Sequence, residues 1–360
     1  MYCYHLYTNP GLEDLVEAEA QRLLADSGLE TEPSPPGLAG VTVLRTALPP
    51  EEFRSAPFRM IYQAVRMLKS GRVDGMEHLA EEEALGRIVD LAELTDFPGL
   101  GPASSIAVRC RRRGNQTFRS PALERAMGAH LVRRYTCPVN LTAPDVTVRI
   151  DITDARVDMG ILATPAEMDR RYHWVYRPRV TLSPVTAQAL LQIARMDAHR
   201  CGAILDPFCG SGTIPIEAAS TAAPSPPLFA GDVNPEAIAG TRINLHANNL
   251  QNQVVTRCSD ATDPRRFRGA WGDRGITTIL CNPPYGVRLG RKIDFHRFYR
   301  GFLLGAAQVL PPGGRLVMMS SRRRGALNNV LATMGEWRII HVRIVETGGV
   351  FPGIFLLERC

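Results

Sequence analysis

The carboxyl-terminal half of the chain alternates short apolar runs with segments of helical period, and this alternation restricts the fold more than any other feature. The apolar runs predict buried strands at 203–205, 228–231, 254–257, 276–281 and 315–319. Strands that are separated by helices become parallel neighbours, with helices on both faces of the sheet. Residues 183–360 are therefore expected to form a doubly wound, mostly parallel sheet of the Rossmann-like type. Two last runs, 339–345 and 354–357, have no helix between them and predict an antiparallel end of the sheet.

Polar residues stand directly after four of these strands. The first strand continues into 206–213 (DPFCGSGT), where two glycines permit close approach of the backbone to a ligand. Asp232, Asp260 and Asn282 follow the next three strands. In doubly wound sheets, ligands bind outside the carboxyl ends of the strands. The turn is neither a G-x-G-x-x-G nor a P-loop sequence, so a dinucleotide or a triphosphate is not indicated.

The order of these side chains predicts the kind of ligand. An acid after the second strand, here Asp232, is placed to accept hydrogen bonds from both ribose hydroxyls. An acid after the third strand, here Asp260, can accept the exocyclic amine of an adenine. A role outside the site explains the next polar residues equally well: Thr213 as the cap of the following helix, and Glu217 as part of its solvated face. Each signal is weak alone, but three strand ends in this order favour an adenine nucleoside.

Composition excludes several classes of protein. The eight cysteines form no C-x-x-C pair, and the eight histidines have no metal-ligand spacing with them. This pattern favours reduced thiols over a zinc site or a disulfide framework. No stretch reaches the ~18 apolar residues of a membrane span, and the first residues do not resemble a secretory signal. We expect a cytoplasmic protein without a bound metal or a membrane span, and we expect it to be a monomer.

The first 182 residues predict two α+β modules and a linker. Residues 1–68 alternate strand and helix, ending in a helix expected over 53–68, and form a small ferredoxin-like module. Residues 69–163 form the second module. Residues 164–182 form a linker in which arginines alternate with aromatic rings, a pattern suited to a single strand of nucleic acid. A segment buried between domains would have the same composition.

The net charge of +6 is concentrated between residues 101 and 180, where 14 arginines stand against 7 acids. A basic region of this kind is a candidate nucleic-acid surface, and the guanidinium group suits phosphate clamping and base stacking. For 109–113 a solvated strand and turn would give the same pattern. The candidate RNA-binding residues are Arg109, Arg111, Arg112, Arg113, Arg119, Arg133, Arg134 and Arg177.

The motifs 206–213 (DPFCGSGT), Asp232, Asp260 and 282–285 (NPPY) resemble those of class I S-adenosylmethionine-dependent amino-methyltransferases. The front half, with 148–153 (VRIDIT), resembles a THUMP domain, which is an RNA-binding module. The whole chain is similar to THUMP-containing RNA guanosine-N2 methyltransferases, in particular to those that act on the acceptor stem of tRNA. This resemblance implies S-adenosyl-L-methionine as cofactor, tRNA as partner and the guanosine at position 6 as target. It implies cofactor contacts from Asp206, Pro207, Phe208, Gly210, Gly212, Thr213, Asp232, Val233, Asp260, Ala261 and Asn282.

The sequence NPPY suits the chemistry of an exocyclic amine. Prolines cannot continue a strand ladder, because they lack the N–H donor, so the chain must leave the sheet there. The Asn282 side-chain oxygen and the Pro283 carbonyl can accept the two hydrogens of the amine, and the Tyr285 ring can stack on the base. Catalysis would then rest on positioning and electrostatics, with no strong base. A strand followed by a simple proline turn would also explain NPPY on its own.

Other substrates remain compatible with the motifs. Guanosine N2 in 23S rRNA and the amines of adenine or cytosine in DNA suit NPPY equally well. The THUMP-like front half favours RNA over DNA, and its small size favours tRNA over rRNA. An inactive RNA-binding protein on a methyltransferase scaffold is the alternative of another class. The intact acidic, glycine and asparagine positions of the site argue against it.

Overall fold

The computed structural model describes all residues except 26, 166–167, 197–201, 222–225, 285–292 and 321–323. Its contacts divide the chain into two compact units. Unit 1 comprises Met1–Thr8 and Val16–Met168, and unit 2 comprises Asn9–Leu15 and Asp169–Cys360. The predicted linker therefore lies largely within unit 2. Among the described residues, we find no helix with the length and apolar character that a membrane crossing requires.

The front half forms one mixed sheet with helices. Its elements are β1 (Tyr2–Tyr7), α1 (Glu13–Leu23), β2 (Glu30–Pro33), β3 (Val41–Thr46), α2 (Pro50–Ser55), β4 (Gln63–Arg72), α3 (Glu81–Glu93), β5 (Ile106–Arg113), α4 (Ser120–Tyr135), β6 (Val146–Thr153) and β7 (Arg156–Leu162). The strand order among the described residues is β2-β3-β1-β4-β7-β6-β5. Strands β5 and β6 are parallel, since α4 carries the chain from one to the other, and the other neighbours are antiparallel. Alternate residues of β6, such as Val148 and Ile150, pack in a core with Leu123 and Met127 of α4.

The helix expected over 53–68 is wrong. Helix α2 ends at Ser55, and Ala56 takes an extended conformation (φ −64°, ψ 129°), as residues before a proline do. The chain then re-enters the sheet as β4, between β1 and β7. The expected module boundary at residue 68 falls inside this strand.

Unit 2 confirms the doubly wound sheet that the sequence predicts. Its elements after the 3₁₀ helix Met168–Arg170 are α5 (Pro184–Ala194), β8 (Ala203–Asp206), α6 (Thr213–Thr221), β9 (Leu228–Asp232), α7 (Pro235–Ala247), β10 (Val254–Cys258), α8 (Pro264–Trp271), β11 (Ile276–Cys281), α9 (Phe295–Val309), β12 (Arg315–Ser320), α10 (Arg324–Leu331), β13 (Trp337–Ile344) and β14 (Gly353–Arg359). The strand order is β10-β9-β8-β11-β12-β14-β13. Strands β8 to β12 are parallel to their neighbours in this group. Strand β14 is antiparallel to both β12 and β13, so the expected antiparallel end is also confirmed.

The order of the strands places a crevice beside β8. From β8 the chain first adds β9 and β10 on one side, and then returns to add β11 and β12 on the other. Ligands bind at such a reversal, because the loops after the two flanking strands diverge there. The four strand ends with polar residues belong to β8, β9, β10 and β11, which are successive neighbours in the sheet.

Candidate active site

The loop after β8 is shaped by two glycines with positive φ. Gly210 has φ +52° and Gly212 has φ +85°, which side chains with a Cβ rarely adopt. A Cβ on Gly212 would also come within 2.9 Å of the Thr241 methyl group on α7. A Cβ on Gly210 would meet no atom within 4 Å, so the loop presents open space at this point. The backbone can therefore contact a ligand directly.

Asp206 is a buried carboxyl at the base of this loop. It is 2% exposed, and its Oδ1 accepts the N–H of Phe208 at 3.1 Å. Burial raises its pKa well above the ordinary value of 3.8, which the Phe208 hydrogen bond opposes and the charge of Asp232 reinforces. A carboxyl in this position is a strong partner for a cationic ligand group, since a positive charge would offset the cost of ionisation.

Asp232 ties the ends of β8 and β9 together. Its Oδ2 accepts the N–H of Gly210 at 3.0 Å, and its Oδ1 accepts the N–H of Asn234 at 2.9 Å. Each carboxylate oxygen can accept a further bond, so both remain available to ribose hydroxyls. The side chain of Val233 next to it is 62% exposed.

The end of β10 borders a cavity of about 490 Å³, within the usual range for small-molecule sites. Asp260 in its wall binds the backbone N–H and hydroxyl of Thr262 through Oδ1, at 2.9 and 2.7 Å. Within the described residues, Oδ2 is therefore the oxygen left for an exocyclic amine. The cavity is lined by Val233, Arg257, Cys258, Ser259, Asp260, Arg266, Gly269 and Ala270.

Asn282 follows β11 and holds an unpaired oxygen. Its Oδ1 is buried and has no hydrogen-bond partner within the described part of the chain. Buried polar atoms are nearly always paired, and leaving one unpaired costs about 1–3 kcal/mol. A buried acceptor of this kind fits a donor that arrives with a ligand. Tyr285, which completes NPPY, lies outside the described residues.

These residues fit S-adenosylmethionine. The cofactor offers a cationic methionine end, a ribose with two hydroxyls and an adenine with one amine, which match Asp206, Asp232 and Asp260 respectively. Thr213, 3% exposed, begins α6 behind the loop. Phe208 packs its partly buried ring against the core, with a distance of 5.0 Å between its ring centroid and that of Phe302, and donates its backbone N–H to Asp206. Among the described residues, no group of three or more His, Cys, Asp or Glu side chains could hold a metal.

Glu217 is not a solvated residue, so that interpretation of the sequence is wrong. It is fully buried in α6, and its carboxylate forms a two-point ion pair with Arg171 at 3.0 and 3.1 Å. The Tyr172 hydroxyl donates to the same carboxylate at 2.8 Å. The apolar neighbours in 213–220 (TIPIEAAS) were the signal, because an acid among them is buried and needs a cation. Two residues of the predicted RNA-binding linker are thus used inside unit 2.

The candidate RNA-binding arginines divide into two sets. Arg111, Arg119, Arg133 and Arg177 are exposed and make no side-chain hydrogen bond or ion pair within the described residues. The others bind protein groups: Arg109 the Leu141 carbonyl, Arg112 the side chains of Ser120 and Gln116, Arg113 the Ala39 carbonyl, and Arg134 the carbonyls of Ala92, Glu93 and Thr95. Arg134 therefore caps the end of α3.

Three arginines share one face of β5. Side chains alternate along a strand, so Arg109, Arg111 and Arg113 point to one side. Val108 and Arg112 point to the other, where Val108 joins the core with α4 and Arg112 bonds Ser120 at the start of α4. The three arginines thus form a row on the face of β5 away from α4.

Comparison with known proteins agrees with the interpretation of both halves of the chain. Residues 88–162 match the THUMP domain, and residues 174–352 match the RMKL-like methyltransferase domain. The chain is 36% identical to the tRNA (guanine(6)-N2)-methyltransferase of Thermus thermophilus over 98% of both chains. It is 27% identical to the enzyme of that name from Archaeoglobus fulgidus, over 77% of this chain and 75% of the relative. The crystal structure of TrmN from Thermus thermophilus, 34% identical, superposes with a TM-score of 0.78 and full coverage of both chains.

The fold and site define a THUMP-containing methyltransferase of class I, as the sequence predicted. With this identity over nearly its whole length, the chain belongs to the tRNA (guanine(6)-N2)-methyltransferase family.

Proposed function

We infer that this chain transfers a methyl group from S-adenosylmethionine to the N2 amine of a guanosine in tRNA. Family membership carries the reaction and the substrate class. The structural observation that supports it most directly is the buried Oδ1 of Asn282 at the end of β11, beside the loop after β8, which has no hydrogen-bond partner among the residues that the structure describes. We propose further that the target is the guanosine at position 6, in the acceptor stem.

The chain would hold the cofactor through its strand ends. We propose that Asp206 pairs with the cationic methionine end, Asp232 with the ribose hydroxyls and Asp260 with the adenine amine. Val233 and Ala261 would line the two sides of the adenine, one exposed and one 2% exposed. The bound cofactor supplies an activated methyl group on a sulfonium.

The target amine would be held by acceptors. A guanine amine is a poor nucleophile, because its lone pair is delocalised into the ring. We propose that Asn282 Oδ1 and the Pro283 carbonyl accept its two hydrogens, which would make the nitrogen pyramidal, localise its lone pair and direct that pair toward the sulfonium methyl. Tyr285 would stack on the base. This arrangement relies on orientation and preorganised acceptors instead of a base. The bonding pair of the broken C–S bond would stay on sulfur, which leaves as neutral S-adenosylhomocysteine, and the methylated nitrogen would release its extra proton to water.

Phosphate contacts would come from the exposed arginines. Arg111 has an unpaired guanidinium among the described residues and stands in the row with Arg109 and Arg113 on β5. Arg119 and Arg133, at the two ends of α4, add exposed positive charge. Such contacts could offset the few kcal/mol needed to extrude the guanosine from its stack.

The function is tested with labelled S-adenosylmethionine and unmodified tRNA transcripts, followed by nucleoside analysis. We expect N2-methylguanosine at one site, and no product from a transcript whose sixth nucleotide is adenosine. Methylation of that altered transcript would contradict the proposed position. Methylation of 23S rRNA fragments or DNA, with none of tRNA, would contradict the substrate class.

We propose a cytoplasmic location and a monomeric state. The cysteines within the described residues are all free, as expected in a reducing compartment. Analytical ultracentrifugation would test the monomer.

A further inference from the structure

The segment 173–176 lies along α7 and is held there by two asparagines one turn apart. Asn248 accepts the N–H of His173 through Oδ1 at 3.0 Å and donates to its carbonyl at 2.8 Å. Asn244 accepts the N–H groups of Val175 and Tyr176, at 3.0 and 2.9 Å. The backbone groups of this segment, which in a sheet would bond to a neighbouring strand, are therefore bonded to two side chains.

Asn244 also forms a hydrogen bond with the loop after β8. Its Nδ2 donates to the Tyr176 carbonyl at 2.8 Å and to the carbonyl of Ser211, between Gly210 and Gly212, at 2.9 Å. The side chain is 0% exposed and uses all four of its hydrogen-bonding positions. A buried amide that is fully satisfied fixes its partners relative to one another. Asn248, in contrast, makes no hydrogen bond to the loop within the described residues.

Two further contacts of α7 lie next to this bond. On α7, Thr241 donates to the Gly210 carbonyl at 3.0 Å, so the loop is held at two successive carbonyls. The Tyr176 ring occupies the space where a side chain on Gly240 would stand. Burial raises the pKa of Tyr176, and the charges of Glu236 and Asp232 add to this effect.

We propose that Asn244 is a positioning residue for the cofactor site: its hydrogen bonds connect Ser211, in the loop after β8, to the segment 175–176. The proposal rests on the proposed function, since it assumes that this loop binds S-adenosylmethionine. Asn244 does not need to touch the cofactor. It fixes the backbone that does, and with it the backbone of Tyr176.

The test compares Asn244→Ala with Asn248→Ala, a matched control that removes hydrogen bonds to the segment but none to the loop. Binding of S-adenosylhomocysteine is measured by calorimetry on the full chain, with melting temperature and circular dichroism as folding controls. We expect the dissociation constant to rise about tenfold in Asn244→Ala, as the loss of its one hydrogen bond to the loop implies, and less than about twofold in Asn248→Ala. In turnover, Asn244→Ala should raise the KM for S-adenosylmethionine while kcat at saturation and the KM for tRNA change little.

A dissociation constant within twofold of wild type in Asn244→Ala overturns the proposal. An equal loss in Asn248→Ala also overturns it, because docking of the segment would then be the cause. If Asn244→Ala does not fold, Asn244→Asp replaces it: this variant still accepts the two N–H groups, but as a carboxylate it cannot donate to the carbonyls of Ser211 and Tyr176, so the same loss is expected. Failure of the wild type itself to bind S-adenosylhomocysteine would contradict the proposed function instead.

Discussion

Replacing Asn282 should separate catalysis from stability. In the free enzyme, its buried Oδ1 has no partner among the described residues, so this atom adds no hydrogen bond to that part of the folded state. In the reaction it would accept a hydrogen of the target amine. Asn282→Ala should therefore lower activity without lowering stability, which is unusual for a change at a partly buried residue.

The magnitudes follow from these two roles. Loss of one preorganised hydrogen-bonding group in a transition state costs about 2.7–4 kcal/mol, or a factor of 10²–10³ in rate. Removing an unpaired buried acceptor returns about 1–3 kcal/mol to the folded state, and the van der Waals packing of the removed atoms offsets part of this gain. We therefore expect single-turnover methyl transfer to fall at least a hundredfold, with a melting temperature equal to or above that of wild type.

Thr278, on the strand that ends directly before Asn282, provides the control. Its hydroxyl is also buried and unpaired among the described residues, and the residue is 0% exposed. Thr278→Val keeps the shape and removes the hydroxyl, so it should raise the melting temperature by about 2–4 °C per kcal/mol gained and leave the rate unchanged. The assay is single turnover with a saturating enzyme concentration, an unmodified tRNA and labelled S-adenosylmethionine. A rate for Asn282→Ala within threefold of wild type would refute the assigned role.

Three further changes test the rest of the site. Without cofactor near pH 7, the Asp206→Asn variant should have a higher melting temperature than the wild type, but it should bind S-adenosylhomocysteine more weakly. Because the folded pKa of Asp206 is raised, the wild type loses stability as the pH rises above about 3.8, so the two melting temperatures should become equal below that pH. A difference that persists there would contradict the raised pKa. Gly212→Ala should weaken cofactor binding and lower the melting temperature, since φ is +85° and a Cβ would meet a methyl group at 2.9 Å; calorimetry showing wild-type affinity would speak against a tight loop. Changing Arg111 and Arg113 to Gln should weaken tRNA binding and make the slope of log affinity against log salt concentration shallower by about 0.7–0.9 per lost phosphate contact. As a control, Arg134→Gln should mainly lower the melting temperature, because Arg134 caps α3. An unchanged slope in filter binding at several salt concentrations would exclude this row of arginines as the phosphate surface.

Local patterns were enough to predict the sheet of unit 2. Runs such as 276–281 are apolar throughout, as buried parallel strands must be, and the residues after them are polar because the chain leaves the core there. The same reasoning failed for 53–68, where the apolar residues fit a helix and a strand alike. Only pairing with β1 and β7 made 63–72 a strand. Pairing with distant segments cannot be detected in the local pattern of apolar residues.

The site divides in the same way. Asp206, Asp232, Asp260 and Asn282 could be predicted because each is the last residue of its strand or lies within two residues of the strand's end, so the position in the chain fixes the position at the sheet edge. Asn244 could not be predicted, since nothing in a helix sequence shows which side chain will meet Ser211 or segment 175–176.

The sequence by itself determined the class of fold, the motif order and the concentration of arginine between residues 101 and 180. These properties depend on residue type and spacing along the chain, which the sequence contains in full. Only the tertiary structure decided which charged side chains were free: it buried Glu217 against Arg171, used Arg134 to cap α3 and left Arg111 exposed. The physical reason is that the availability of a charge depends on the donors and acceptors that folding brings within about 3 Å, and most of these come from distant parts of the chain.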